Sequence, residues 1–394
     1  MLDTPAAATA EPETAAPPRR GRRRRPSLRT ALVFTHRWMS LVLGLALLAV
    51  VISGVVLVYE QEIDRVVHPK LHRSTPTEDP ITHTEALAVV RRDAPASFAP
   101  TDVVDSHGVY LVYGAEEDYR QAYVDPGSGR LNGLDDTADG VMGFLYNLHL
   151  CGLSCKGYAG YLPFLEKPAH VLGNEELTVG GLILAVTAVL LLLLGVTGII
   201  VWWPGIRRLA RGLRVRRRQG TYAFNYDLHN VVGIAAVPFL LMWAITGAHF
   251  ELKQVSDLVY GVLPGHAVEE RTVESKPLKG RAVSMDQAAQ IARNTVPDGR
   301  LVSVSVPEKE AKSTYFAYLA RGNDPYDHGV YPGNVGVTID RYSGKATVTY
   351  PTQADPPLSA QLLDDWFYPL HAGTFVNGWW RIVWLVLGAA PVLL

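Results

Sequence analysis

Hydrophobic residues are concentrated in four blocks that alternate with longer, more polar segments. The blocks at residues 30–60 and 179–203 exceed the roughly 20 residues with which a helix crosses about 30 Å of hydrocarbon. A third block covers residues 229–250. The fourth, residues 379–394, would extend about 24 Å as a helix, so we expect this span to continue beyond residue 394. The pattern predicts an α-helical membrane protein with four or more transmembrane helices.

Basic residues determine the predicted orientation, although the net charge is only −1. Six arginines lie within residues 19–25 and seven within residues 207–218. Because cytoplasmic flanks of transmembrane helices carry such excesses, residues 1–29 are expected to form a disordered basic cytoplasmic tail and residues 204–228 a cytoplasmic loop. A nucleic-acid-binding tail and a cleaved signal peptide are the alternatives for the N-terminal region. The adjoining apolar block argues against the first, and its length argues against the second.

The chain contains an internal duplication. A shift of 193 residues aligns His36 with His229, Ser40 with Gly233, Ser53 with Thr246, Gly54 with Gly247 and Asp64 with Asp257. Residues 61–178 and 251–378, both predicted to lie outside, also resemble each other. Each contains a capped Ala-rich segment followed by alternating β-formers and a V-D-P-G-S-G or I-D-R-Y-S-G turn. We therefore predict two small α+β extracytoplasmic domains, each between two membrane helices.

Four histidines occupy equivalent places in the two halves. His36 and His229 lie at the cytoplasmic entrances of the first and third helices, and His149 and His371 lie outside, just before the second and fourth. Isolated histidines at a membrane edge can simply reach the headgroups, but duplicated pairs suit the two axial positions of a b-type haem iron. The sequence thus predicts two haems. His249 and His170 are reserve candidates for the outer ligands.

The remaining chemistry is sparse. We expect His68, His72, His83, His107, His266 and His328 to be solvated surface residues. A metal-only site is disfavoured because Zn²⁺ requires three or four ligands. Nucleotide-binding and nucleophile-elbow motifs are absent, so electrons would come from a separate donor. Cys151 and Cys155 lie outside, where either a local disulfide or two free thiols would fit.

These features resemble the PepSY-associated transmembrane family over nearly the whole chain. The resemblance is carried by H-R-W at His36, N-L-H at His149, G-V-T-G-I-I-V-W-W-P from Gly195 to Pro204, D-L-H at His229 and the paired S-G, T-G and D-x-x-S-G motifs. The stretch between His149 and the second span is an insertion that the second half lacks.

The resemblance implies a multi-pass protein of a bacterial-type inner membrane, with a cytoplasmic N-terminus. Some similar proteins are haem-containing ferrisiderophore reductases, which implies a ferric siderophore as substrate, a quinol or cytoplasmic reductase as donor, and surrounding lipid as a partner. Two alternatives stay open. One is a PepSY module that regulates peptidases without redox activity, and the other is a transporter of a chelate or a metal ion.

Overall fold

The computed structural model describes residues 27–115, 118–171, 173–174, 176–265, 272–278, 282–308, 310–321, 334–351, 356–376 and 378–393. Its α-helices are α1 (Leu28–Leu57), α2 (Glu60–Val67), α3 (His83–Asp93), α4 (Gly140–Cys151), α5 (Val179–Trp202), α6 (Leu209–Gly212), α7 (Thr221–Glu251), α8 (Lys253–Val262), α9 (Met285–Thr295), α10 (Leu358–Ala360), α11 (Phe367–Ala372), α12 (Ile382–Gly388) and α13 (Ala390–Leu393). A π-helix covers Gln361–Trp366, and 3₁₀ turns cover Ile206–Arg208 and Gly378–Arg381.

Within the described residues, two helices are long and apolar enough to cross a membrane, namely α5 and α7. The two segments of α1, Leu28–Val42 and Gly44–Leu57, meet at an angle of 64°. If they count as one span, α1 is the third. A shorter apolar helical stretch covers Trp379–Val392. The prediction of membrane helices is therefore confirmed, whereas the number four stays a prediction. Most of the predicted basic tail lies outside the described residues, and α1 already begins at Leu28.

The spans pack into a bundle. α5 lies between α1 and α7, α12 and α13 contact both α1 and α7, and the short helices α4 and α11 rest against α1 and α7 respectively. Small residues such as Gly195, Ala236 and Ala244 are buried in this bundle, which lets the helix backbones approach closely. The duplicated short helices thus dock on the duplicated long ones.

The two segments that the sequence predicts to lie outside (residues 61–178 and 251–378, the outer segments) form one antiparallel sheet of eight strands, ordered β4-β3-β2-β1-β5-β6-β7-β8. The strands are β1 (Pro100–Ser106), β2 (Val109–Gly114), β3 (Arg120–Asp125), β4 (Arg130–Asp136), β5 (Arg300–Ser305), β6 (Tyr315–Ala320), β7 (Val335–Ile339) and β8 (Ala346–Tyr350). Each half supplies a helix followed by four strands, where the sequence predicted one helix followed by a small antiparallel sheet. The expectation of two separate small domains differs from the structure, because β1 pairs with β5.

The joint between the halves is made by equivalent strands. Val103 lies opposite Val304, and the Ser305 hydroxyl donates to Asp102. Pairing these edges satisfies backbone groups that two separate sheets would expose, and it relates the halves of the sheet by an approximate twofold axis. The symmetric strand order follows from this pairing.

Both faces of the sheet are covered near its centre. Helices α3 and α9 lie side by side on one face, where their capping boxes begin at Thr82 and Ser284. The side chains on the other face include Leu111, Tyr123 and Tyr318. His83, predicted to be a surface residue, is only 7% exposed, because it is the first residue of α3 and its ring lies 5.1 Å from that of Tyr110.

The two equivalent turns owe their shape to an aspartate. Asp125 accepts hydrogen bonds from the backbone of Thr75 and Gly127, and Asp340 accepts them from Lys276, Tyr342 and Ser343. In both cases the carboxylate fastens the turn to a segment from the start of its own outer region. Hydrogen bonds to a carboxylate favour its charged form, and the pKa of Asp125 is lowered although burial opposes this.

Candidate functional site

The structure brings the two inner histidines together. The ring centroids of His36 on α1 and His229 on α7 are 6.4 Å apart, and the ring planes are nearly perpendicular. His229 lies two turns inside α7 rather than at its entrance, because the helix already begins at Thr221, directly after Gly220 with φ +85°. The inner pair therefore lies within the helix bundle.

A cavity of about 580 Å³ surrounds this pair. Leucines from α1, α5 and α7 make most of its wall apolar, and glycine or serine occupies the positions where the helices approach it. The lining residues include Ser40, Gly44, Gly195, Gly198 and Gly233, with Arg37 and Asn230 next to the two histidines in sequence. Its volume falls within the range of roughly 300–1,000 Å³ of small-molecule and cofactor sites.

The outer histidines also meet. His149 on α4 and His371 on α11 have ring centroids 6.0 Å apart, with planes inclined by 50°. His149 contacts the C-terminal half of α1, and His371 contacts the C-terminal half of α7. Because His229 and Thr246, the contact of His371, are 17 residues apart on α7, the inner and outer pairs are separated by about 25 Å along this helix.

A hydroxyl residue followed by glycine accompanies three of these histidines. Nδ1 of His371 lies 2.8 Å from Oγ1 of Thr246, and Nδ1 of His149 lies 3.2 Å from Oγ of Ser53 and 2.9 Å from the Val50 carbonyl oxygen. Nδ1 of His36 lies 2.9 Å from Oγ1 of Thr197. In each ring one nitrogen is thus engaged, which leaves Nε2 as the atom that can bind a further partner.

The glycine that follows Ser53 makes room for the His149 ring, whereas a Cβ at the glycines after Thr197 and Thr246 would be in ordinary contact with the neighbouring ring. A Cβ added to Gly54 would lie 2.4 Å from Cε1 of His149, and one added to Gly198 would lie 3.4 Å from Cε1 of His36. At Gly247 the distance to Cε1 of His371 would be 3.6 Å, which is ordinary contact. The repeated S-G and T-G dipeptides of the sequence therefore position histidines, a role that spacing alone did not reveal.

The separation of each pair suits a metal ion between the rings. Imidazole nitrogens bind first-row metals at about 2 Å, so two imidazoles on opposite sides of one ion place their ring centroids about 6 Å apart. A second ring nitrogen that is hydrogen-bonded, as in His36, His149 and His371, is the usual state of a metal-bound histidine. The centroid separations of both pairs are therefore compatible with a two-imidazole metal site.

The reserve candidates lie elsewhere. The ring of His249 lies 4.9 Å from that of Phe367 and 5.5 Å from that of Phe250, and its Nδ1 is 3.1 Å from Oγ of Ser256. His170 is exposed in the loop between α4 and α5, with φ +50°. The proximity of His149 and His371 makes these two the better-placed outer residues.

The cysteines flank the outer site. Cys151, the last residue of α4, forms a disulfide with Cys155, and Gly152 between them has φ +56° and lies against the backbone of Gly180. Asn147 also holds this turn, since its side-chain oxygen accepts a hydrogen bond from the Cys155 backbone. The start of the inserted stretch is thus fastened one turn from His149.

An ion pair connects the end of α1 to the last apolar stretch. Nη1 of Arg381, which is only 2% exposed, lies 2.6 Å from Oε1 of Glu62 on α2, and its guanidinium lies over the ring of Tyr59. Burial raises the pKa of the neighbouring Glu60 to about 7, although Arg381 opposes the shift. Buried charge therefore borders the outer ends of the spans.

Sequence reasoning missed a further group of side chains of the types that can hold a metal ion. His68 and His72, expected to be solvated, cluster with Asp64 of α2 and Asp135 of β4. The signal was present as D-x₃-H-x₃-H over residues 64–72, but Asp135 is 63 residues beyond His72 and only the fold brings it near.

Comparison with known proteins agrees with this architecture. A comparison with curated proteins gives no match. The family described as the PepSY-associated TM region matches residues 34–394, a range that includes α1 from residue 34 onward, α5, α7, the whole sheet and both histidine pairs. The chain therefore belongs to the family of PepSY-associated transmembrane regions.

Proposed function

We propose that this chain is a membrane electron-transfer protein that binds two b-type haems and passes electrons from the cytoplasmic side or the membrane pool to a ferric chelate outside. The observation that carries the proposal is the presence of two imidazole pairs, with ring centroids 6.4 Å and 6.0 Å apart, near opposite ends of α7. Bound haem supplies one-electron redox chemistry.

The residues around the inner pair support a flat, largely apolar ligand. Small residues on α1, α5 and α7 leave a cavity of about 580 Å³ between leucine side chains, and Arg37 at its border offers a cation for a carboxylate. Thr197 holds the His36 ring through Nδ1, so that Nε2 is directed away from α5.

The outer pair supports the same role through different contacts. Val50 and Ser53 hold Nδ1 of His149, and Thr246 holds Nδ1 of His371, so the two Nε2 atoms would be the ones to hold a haem iron. Along the chain, strands of the sheet precede each outer histidine, and the inserted stretch follows His149. They offer the surface on which a ferric chelate would dock and accept an electron.

The test is the haem content of the full chain purified in detergent. We expect about two haems per chain, with sharp α and β bands after reduction by dithionite. The variants His36→Ala and His229→Ala should lose the same haem, and His149→Ala and His371→Ala should lose the other. The double variant His36→Ala/His229→Ala should lose no more than either single one. His249→Ala is the matched control and should keep both haems.

The proposal fails if the chain stays colourless when expressed with ample haem, which would favour a PepSY regulatory or binding module without redox activity. If haem is present, proteoliposomes with a quinol donor should reduce an external Fe³⁺ chelate, and the His149→Ala variant should not. Haem without such reduction would retain electron transfer but reject the ferric chelate as acceptor.

A further inference from the structure

Three potential metal ligands converge between α2 and the sheet, apart from the four paired histidines. Nδ1 of His68 lies 2.8 Å from Oδ1 of Asp64 and 3.9 Å from Oδ2 of Asp135. One ligand atom from each of the three residues lies within 4.8 Å of the others. Neighbouring ligand atoms on an ion with bonds of about 2.0–2.2 Å are roughly 3–3.5 Å apart, so small side-chain rotations would bring all three onto one ion.

The carboxylate of Asp64 is held from behind. Its Oδ2 accepts hydrogen bonds from Nε2 of His72 at 2.7 Å and from the hydroxyl of Tyr123 at 3.2 Å. The His72 ring also packs on the ring of Tyr123, with centroids 5.1 Å apart. Ligating carboxylates in metal sites are commonly oriented by such outer hydrogen bonds. The Asp64 side chain is therefore already directed toward His68.

The charge of the cluster favours a cation. Among the described residues, the ion pairs of Asp64 and Asp135 are made with histidines, which are charged only when protonated. When the imidazoles are neutral, the carboxylates of Asp64 and Asp135 lie on either side of His68, and within the described residues neither forms an ion pair with a lysine or arginine. A divalent cation would compensate both charges.

The cluster is also accessible. The side chains of Asp64, Asp135 and His68 are 27%, 28% and 42% exposed, whereas Tyr123 beneath them is buried. An ion can thus enter from solvent and bind against a fixed floor. Helix geometry contributes as well, since Asp64 and His68 are four residues apart at the end of α2 and lie on one face.

The second half provides an internal comparison. The residues equivalent to Asp64, His68 and His72 are Asp257, Gly261 and Gly265, and Asp257 is exposed and paired with Lys253 at 3.2 Å. Counted from the aspartates of the two D-x-x-S-G turns, Asp135 corresponds to Tyr350. Only the first aspartate is shared, so the cluster is a property of the first half and does not follow from the duplication.

From this juxtaposition we propose that Asp64, His68 and Asp135 form a binding site for a divalent first-row transition cation on the outer part of the protein, with His72 and Tyr123 orienting Asp64. Imidazole together with carboxylate suits Zn²⁺, Mn²⁺ or Fe²⁺. The site is independent of the two histidine pairs and of haem.

Titration of the full chain in detergent with Zn²⁺, followed by calorimetry at pH 7.5, tests the proposal. We expect one tight site per chain that is lost in Asp64→Asn and weakened at least 100-fold in His68→Gln. His72→Gln should weaken binding about 10–100-fold, as outer-shell changes do. Asp257→Asn is the matched control and should bind like the unchanged chain. Because His68 is partly exposed, its variant gives a reading even if Asp64→Asn unfolds.

Either of two results would overturn the proposal. One is the absence of a stoichiometric site in the unchanged chain, and the other is Zn²⁺ binding of equal strength in His68→Gln and Asp257→Asn. The cluster would then be a hydrogen-bonded clamp that fastens α2 to the sheet. Neither result depends on haem content, so failure here is distinguishable from failure of the electron-transfer proposal.

Discussion

The two halves of the molecule share a framework but differ in the contacts that surround it. Both place a histidine from a short helix against a hydroxyl-glycine pair on a long helix, and both add a helix and four strands to the sheet. Only the first half has the disulfide, the Asp64 cluster and a histidine at the start of its sheet-covering helix. The duplicated parts thus carry the histidine pairs, whereas the disulfide and the Asp64 cluster belong to the first half.

The largest expected difference between the halves concerns the two glycines beside the outer histidines. Gly54→Ala places a Cβ 2.4 Å from the His149 ring, so the ring must move, at a cost of about 1–3 kcal/mol and with loss of the outer haem. Gly247→Ala places its Cβ at 3.6 Å and should keep both haems. The haem content per chain and the thermal unfolding in detergent are measured for both variants. Equal behaviour of the two variants would show that the His149 pocket can relax.

A second difference concerns acid stability. Burial lowers the pKa of His83 to about 4, with Arg293 adding to the shift. Its unfolded form takes up a proton more readily, so stability falls as the pH drops from about 6.5 toward 4, by up to about 3 kcal/mol. His83→Met installs the residue found at the equivalent position, Met285, and should abolish this decline. The free energy of unfolding is measured at pH 7 and pH 5 for the unchanged chain and for His83→Met. An equal loss of stability in both chains would contradict the prediction.

A third difference concerns the ends of α4 and α11. Both helices end at a glycine with positive φ, Gly152 and Gly373, but only the first is closed by a disulfide. For such a short loop, chain entropy predicts a loss of about 2 kcal/mol in the double variant Cys151→Ser/Cys155→Ser. Thermal unfolding with and without a reductant checks this. A reductant that shifts the unchanged chain but not the variant assigns the effect to the disulfide.

The smallest effect is expected at Asp257. Its ion pair with Lys253 is exposed, with side chains 58% and 75% accessible, and exposed pairs contribute little. Lys253→Ala should change the free energy of unfolding by less than about 0.5 kcal/mol. A larger change, measured by denaturant unfolding, would mean that this ion pair stabilises the protein more than exposed pairs usually do.

Much of the framework could be predicted because it depends on local patterns. Apolar blocks as long as a bilayer are unambiguous, and the capping boxes at Thr82 and Ser284 together with the two D-x-x-S-G turns mark one helix and a small sheet in each half. The pairing of His36 with His229 and of His149 with His371 followed from the duplication. These predictions needed only sequence spacing and the dimensions of helices and strands.

Other features depended on distant residues and could not be read in this way. Thr197 is 161 residues from His36, so its hydrogen bond to the His36 ring was not evident from the T-G motif. His83 was expected in solvent because a histidine at a helix start carries no sign of burial. The kink in α1 and the early start of α7 at Thr221 also differ from the predicted bounds, since hydropathy reports apolar length and not the backbone path.

Sequence patterns were enough to identify a membrane protein with duplicated halves, to locate a helix and β-strands in residues 61–178 and 251–378, and to match His36 with His229 and His149 with His371. Those properties follow from hydrophobic length, short-range capping and repeat spacing. The sharing of one sheet through β1 and β5, and the approach of Asp135 to Asp64 and His68, are seen only in the folded chain. The shared sheet depends on which strand edges meet, because backbone pairing is nearly independent of side-chain identity and leaves little trace in a single sequence. The approach of Asp135 depends on how α2 packs against β4, which joins residues far apart in the chain.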